Sequence, residues 1–94
     1  MTLKNPVGPV VQSGEMANAV IDAARTDNTS EVFVRDRGSY VRIELDRECL
    51  ILRESMEREL GRPFQMRELE VSMPSFQGRI ETTSDYFRFY ATAN

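Results

Sequence analysis

The stretch Leu60-Gly61-Arg62-Pro63-Phe64-Gln65-Met66-Arg67-Glu68-Leu69-Glu70-Val71-Ser72-Met73-Pro74-Ser75-Phe76-Gln77-Gly78-Arg79-Ile80 decides the fold, because it interleaves chain-breaking residues with apolar ones. Gly61 can take the left-handed conformation that closes a helix, and Pro63 forbids that helix from continuing, so one helix is expected to end at Leu60. Phe64, Met66 and Leu69 are spaced to bury one side of a short second helix. Pro74-Ser75-Phe76-Gln77-Gly78 reads as a loop, which places a phenylalanine among residues expected to face water.

Beyond that loop, Arg79-Ile80-Glu81-Thr82 and Tyr86-Phe87-Arg88-Phe89-Tyr90 read as two strands joined by Thr83-Ser84-Asp85, with Phe87 and Phe89 on one face. Upstream, Glu54 to Leu60 is the helix that Gly61 closes, with Met56 and Leu60 toward the core and the charged residues outward. Cys49-Leu50-Ile51-Leu52 is too short for a helix and predicts a strand buried on both sides. Tyr40-Val41-Arg42-Ile43-Glu44-Leu45 alternates, with Val41, Ile43 and Leu45 inward. It forms a hairpin with Glu31-Val32-Phe33-Val34-Arg35 through the turn Asp36-Arg37-Gly38-Ser39.

Gly14 to about Asp27 carries Met16, Ala17, Val20, Ile21 and Ala24 at helical spacing, with Glu15 in the first turn and Ser13 as the expected N-cap. Val7-Gly8-Pro9-Val10-Val11-Gln12 predicts a short strand, and Pro9, lacking an amide proton, favours an edge position or the start of the strand, so this is not expected to be a central strand. Residues 1–6 are expected to be a flexible arm and residues 7–94 a single domain. The element order predicts an α+β fold: a mainly antiparallel sheet with helices packed on one side. The expected core is Leu50, Leu52, Phe64, Leu69, Phe87 and Phe89 with Val20, Ile21, Val41 and Ile43.

Composition bounds the function. Ninety-four residues, 40% hydrophobic and 29% charged, fit one globular domain. A net charge of −3 opposes a role in neutralising nucleic-acid phosphates. No apolar run reaches the roughly 20 residues that span a bilayer, and the N-terminus lacks a secretory pattern, which predicts a cytoplasmic chain with no membrane association. There is no histidine, so the commonest general base and the Glu-x-x-His pairs of a di-iron site are missing. A single cysteine, Cys49, supports neither a disulfide nor an iron–sulfur cluster and reads as a buried structural thiol. No phosphate-cradling or dinucleotide-binding glycine motif is present. Glu54, Glu57 and Glu68 can be imagined as acid–base pairs, but charged residues on short helices usually form the solvated face. No cofactor is expected. Met56 and Met66 read as core, and Met73 is left open between core and binding surface.

The run L-G-R-P-F-x-M-x-E-L-E from Leu60 to Glu70, followed by S-F-x-G from Ser75 to Gly78, resembles the coupling (effector) proteins of bacterial multicomponent di-iron monooxygenases. The toluene and alkene type is the nearest. Gly8-Pro9-Val10-Val11, Asp27-Asn28 and Tyr40-Val41-Arg42-Ile43 fall at matching places, so the resemblance runs from about Val7 to Tyr90. It implies a protein without a prosthetic group that binds the di-iron hydroxylase and tunes its active site, substrate access and electron coupling. Competition with the ferredoxin or reductase component for the hydroxylase is a further implication. Methane-type members are longer at both ends, so a mechanism that depends on a long tail is not expected here. By the same resemblance, Met73, Pro74, Ser75, Phe76, Gln77 and Gly78 would form the hydroxylase-contacting surface, with Phe76 either an anchor or turned inward beside Phe64. Two other classes stay open on the residues alone: a structural or inhibitory adaptor of an unrelated enzyme, and a cofactor-independent enzyme using carboxylates with Tyr40 or Tyr86.

Overall fold

Seven strands and three helices succeed one another in the computed structural model, which describes residues 4–92. They are β1 (Pro6–Gln12), α1 (Glu15–Asp27), β2 (Phe33–Asp36), β3 (Tyr40–Asp46), β4 (Glu48–Leu52), α2 (Arg53–Leu60), α3 (Met66–Ser72), β5 (Ser75–Gln77), β6 (Arg79–Thr82) and β7 (Tyr86–Tyr90). The strands form two antiparallel sheets rather than the one expected, in the orders β2-β3-β1-β5 and β4-β7-β6. The chain passes between the sheets three times: from β4 to β5 by way of α2 and α3, and twice directly through one residue with positive φ, Arg47 (74°) between β3 and β4 and Gly78 (89°) between β5 and β6. A single left-handed residue turns the strand direction sharply, so the two direct crossings need no loop.

Alternation then builds the core. Val41, Ile43 and Leu45 of β3 and Phe87 and Phe89 of β7 face inward and are buried, as the sequence predicts. α1 contributes Ala17, Val20 and Ala24 and packs on β4 and α2, while Met56, Phe64, Met66 and Leu69 close the core from α2, the α2–α3 link and α3. Each buried phenylalanine contributes roughly 1.5–3 kcal/mol relative to an exposed ring. Gly61 ends α2 at φ 71°, ψ 26°, its N–H donating to the Glu57 carbonyl at 2.8 Å, as expected of a helix-closing glycine.

Four expectations are corrected. β1 is not an edge strand: it lies between β3 and β5. Its pairing with β3 runs Val7↔Leu45 and resumes at Val10↔Arg42, passing over Gly8 and Pro9, so the missing proline amide falls where the ladder is already open. Gly8 is required there, because a Cβ would come within 2.1 Å of the Ile43 carbonyl oxygen. β4 is not buried on both sides: Cys49 and Ile51 are fully buried, and Leu50 and Leu52 are half-buried on its other face. Ser13 is not an N-cap. Gly14 takes that position, and the Ser13 hydroxyl donates instead to the Gly38 carbonyl at 2.6 Å, tying the start of α1 to the β2–β3 turn. The presumed loop at Ser75–Gln77 is strand β5. Of the arm expected over residues 1–6, residues 1–3 lie outside the described residues, whereas Pro6 is already in β1 and the Asn5 N–H donates to Asp46.

The end of α1 is fastened to β4 by side chains. Asn28 donates its amide to the carbonyls of Ala24 (2.9 Å) and Leu50 (2.8 Å) and accepts the Leu50 N–H (2.9 Å). Asp27 accepts the Leu52 N–H (2.9 Å) and the hydroxyl of buried Ser55 (2.6 Å). The Asp27 carboxylate thus sits at the N-terminal end of α2, where unpaired helix N–H groups favour negative charge. Among the described residues no helix is long and apolar enough to cross a membrane.

Candidate functional site

The segment expected to meet a partner, Met73 to Gly78, is built as a short strand closing one side of the four-stranded sheet. β5 pairs with β1 through Val10↔Ser75, Pro9↔Phe76 and Gly8↔Gln77. Period-two alternation therefore divides the segment between two faces. Ser75 and Gln77 share the face of Gly8 and Val10, which carries no helix, whereas Phe76 points to the opposite side with Pro9. Phe76 does not pack beside Phe64. Its ring lies 5.8 Å from that of Phe89, tilted by 52°, and Phe89 stacks on Phe87 at 6.1 Å. Phe89 and Phe87 are fully buried, but Phe76 remains 40% exposed. It is the outer end of an aromatic row that begins in the core.

Around the ring, Pro74 and Ser75 are exposed, Gln77 is half-buried, and Met73 is half-buried against the core. Gly78 is fixed by its surroundings. A Cβ there would lie 2.7 Å from Val7 Cγ1 and 2.8 Å from the Tyr90 carbonyl oxygen, so β5 can turn into β6 only with no side chain at the corner. The sequence reveals an unusual ring between a proline and a glycine, but not the strand, which exists only because β1 pairs with it.

The three glutamates that could form acid–base pairs are occupied in local structure. Glu57 accepts the Phe64 N–H at 3.0 Å and lies 3.5 Å from Arg53. Glu68 accepts the Gln65 N–H at 2.8 Å while the Gln65 side chain accepts the Glu68 N–H, a capping box for α3, and Arg62 pairs with its other oxygen at 2.9 Å. The Gln65 N–H and then Arg62 hold the Glu68 carboxyl below its usual range. Sequence reasoning missed this box, although its signal is the Gln-x-x-Glu spacing of Gln65 and Glu68. Glu54 is exposed beside Arg58 at 3.9 Å.

Tyr86 donates to Glu81 at 3.2 Å, and desolvation followed by the Glu81 charge raises its phenol. A cleft of about 400 Å³ between the start of α2, the α2–α3 link and the β6–β7 turn is lined by Arg53, Phe64, Gln65, Met66, Arg67, Ser84 and Asp85. Neither Tyr40 nor Tyr86, nor any of the three glutamates, lines it; Glu54 instead lines a smaller cleft of about 140 Å³ with Leu52, Arg53 and Asp85. Burial pushes the Cys49 thiol up to about 12, which leaves it protonated and inert at neutral pH. Among the described residues no three Cys, Asp or Glu side chains are grouped to hold a metal ion.

Comparison with known proteins adds to this geometry. The chain is 47% identical over 88 residues to the effector subunit of the alkene monooxygenase system of Xanthobacter autotrophicus strain Py2, covering 93% of this chain and 87% of that protein. It is 30% identical over 76 residues to the stimulatory component DmpM of phenol 2-monooxygenase from Pseudomonas sp. strain CF600, covering 81% and 83%. Two chains from solved structures of a phenol hydroxylase–regulatory protein complex share the fold. One superposes with a TM-score of 0.82 at 24% identity, covering 94% of this chain and all of that one. The other superposes at 0.78 and 23%, covering 92% and 99%. The MmoB/DmpM family model matches residues 5–90, from the foot of β1 to the end of β7, and the chain belongs to the MmoB/DmpM family.

Proposed function

We propose that this chain is the regulatory effector component of a multicomponent monooxygenase, binding its di-iron hydroxylase in the cytoplasm and doing no chemistry itself. The observation that carries the reading is 47% identity to an alkene monooxygenase effector subunit over nearly the whole of both chains. The lower identity to the phenol component favours an alkene-oxidising partner over a phenol-oxidising one. The engagement of Glu57 and Glu68 in local backbone hydrogen bonds favours it over a carboxylate enzyme, and the family match over an adaptor of an unrelated enzyme.

The physical basis is linkage. A protein that binds one conformation of its partner more tightly shifts the partner's populations by that difference in affinity, and so can change active-site geometry, substrate access and electron coupling from outside. Such a protein would compete with the ferredoxin or reductase component wherever their footprints on the hydroxylase overlap. Met73 to Gly78 contributes to the contact, with the exposed part of Phe76 as an aromatic anchor already held by Phe89 and Phe87.

The test is Phe76→Ala titrated against purified alkene monooxygenase hydroxylase. Loss of about 2 kcal/mol of binding with nearly unchanged thermal stability is expected of an anchor. Undiminished binding with a large fall in Tm would make Phe76 a core residue and refute its role.

A further inference from the structure

We infer that the open face of the four-stranded sheet, centred on Arg42, docks against a carboxylate-bearing surface of the hydroxylase, so that the interface extends across β1 and β3 rather than ending at β5. The inference rests on the reading of the chain as a hydroxylase effector. The face is defined by register: Arg42 stands across from Val10, Val10 across from Ser75, and Gly8 across from Gln77, so these residues share one side. The helices pack on the other side.

Arg42 is the unusual residue. It lies directly opposite Arg35 on β2, and like charges facing each other across strands are destabilising. Arg35 is compensated, because its Nε donates to Glu44 at 2.6 Å and Glu44 is almost fully buried. Arg42 forms no ion pair among the described residues. Its Nε is shut off from solvent without an acceptor, and the Gln77 Oε1 on the same face is shut off without a donor. Two of the three such orphaned atoms among the described residues thus lie on one sheet face, the third being the Arg53 Nε. Buried polar groups ordinarily find partners, and a fold that leaves two unpaired beside an uncompensated guanidinium retains a cost that it does not recover alone. A carboxylate accepts from the two Nη groups of a guanidinium through parallel bonds, which fits Arg42 to an acidic partner without reaching its covered Nε. Val10, only 5% exposed, gives the face an apolar floor, and Ser75 and Gln77 join it to the β5 segment.

The test is calorimetric titration of purified alkene monooxygenase hydroxylase with the full chain, its Phe76→Ala and Arg42→Gln variants, and Arg58→Gln on the exposed face of α2 as control, at low and high salt. Arg42→Gln is expected to raise Kd about tenfold and to flatten its salt dependence. Its Tm should not fall, because the change removes the Arg35–Arg42 opposition, and Arg58→Gln should change nothing. The inference is overturned if wild-type affinity ignores salt, if Arg42→Gln binds within about twofold of wild type, or if its weaker binding comes with a fall in Tm. It is also overturned if sedimentation shows the free chain to be a dimer that Arg42→Gln dissociates, since a second copy would then own the face. A wild type that binds no hydroxylase removes the functional reading as well, whereas normal wild-type and weakened Phe76→Ala binding beside an unaffected Arg42→Gln removes this inference alone.

Discussion

Replacing Gly78 by alanine should cost far more than replacing Gly61, and the difference measures how tightly the two sheets are pinned at their corner. Both glycines have positive φ, 89° and 71°, so both alanine variants carry the left-handed penalty of about 1 kcal/mol. At Gly61 nothing lies within 4 Å of the added carbon, and the cost should end there. At Gly78 the same carbon would meet Val7 Cγ1 at 2.7 Å and the Tyr90 carbonyl oxygen at 2.8 Å. Val7 is fully buried in β1 and Tyr90 is held in β7 by its pairing with Arg79 and Glu48, so neither can withdraw without shifting a strand. Overpacking of that kind adds about 1–3 kcal/mol. The total at Gly78, about 2–4 kcal/mol, is a large part of the roughly 5–14 kcal/mol expected for a chain of this length. Urea denaturation followed by far-UV circular dichroism gives both values at one temperature. If the two variants are destabilised equally, the corner is not a point of close contact.

Phe89→Ala removes the ring that joins Phe87 to Phe76 and should cost roughly 3–5 kcal/mol in the same assay; a loss below about 1 kcal/mol would mean that the aromatic row does not hold the core together. Asn28→Ala strands the Leu50 N–H and the carbonyls of Ala24 and Leu50, so a loss of about 1–3 kcal/mol is expected. Hydrogen exchange at the Leu50 amide should rise selectively, and unchanged protection there would contradict the assigned bonds. Cys49 should resist thiol reagents at pH 8 until the protein unfolds. Because its folded pKa of about 12 exceeds the reference value of 9.0, the unfolded state loses its proton first. The thiol's contribution to stability is therefore intact below pH 9 and is lost progressively up to pH 12. Cys49→Ala should be less sensitive to alkali than wild type over that range, and parallel curves would refute the assignment.

The legible parts of the fold were those whose cause is local. The Tyr40 to Leu45 alternation, the Gly61 stop and the inward pair Phe87 and Phe89 each follow from a few neighbouring residues. What stayed hidden depends on a distant strand. Pro9 argues for an edge unless the ladder beside it is already interrupted, and only the pairing with β3 supplies the interruption. Ser75-Phe76-Gln77 lies between a proline and a glycine and has no strand signal of its own, so β1 determines its conformation. The four apolar residues from Cys49 to Leu52 cannot reveal which alternate pair is covered. At the candidate site the unusual ring of Phe76 was readable, but its partner Phe89 was not. The opposed directions of Phe76 and its two neighbours were hidden as well, because they follow from a strand that the sequence does not announce.

The fastening of α1 to β4 also governs how the molecule behaves in a crowd. β4 is the outermost strand of its sheet, and strands in that position ordinarily offer a row of unpaired donors and acceptors to any passing chain. Here the Asn28 amide occupies both backbone groups of Leu50 and the Asp27 carboxylate takes the Leu52 N–H, so the side chains at the end of a helix act as a short counterfeit strand. A second polypeptide seeking to extend that sheet must first evict them, which leaves the β6 side as the unguarded margin. Self-association seeded by loss of Asn28 should therefore begin at β4, a border that the intact chain keeps closed without spending another strand on it.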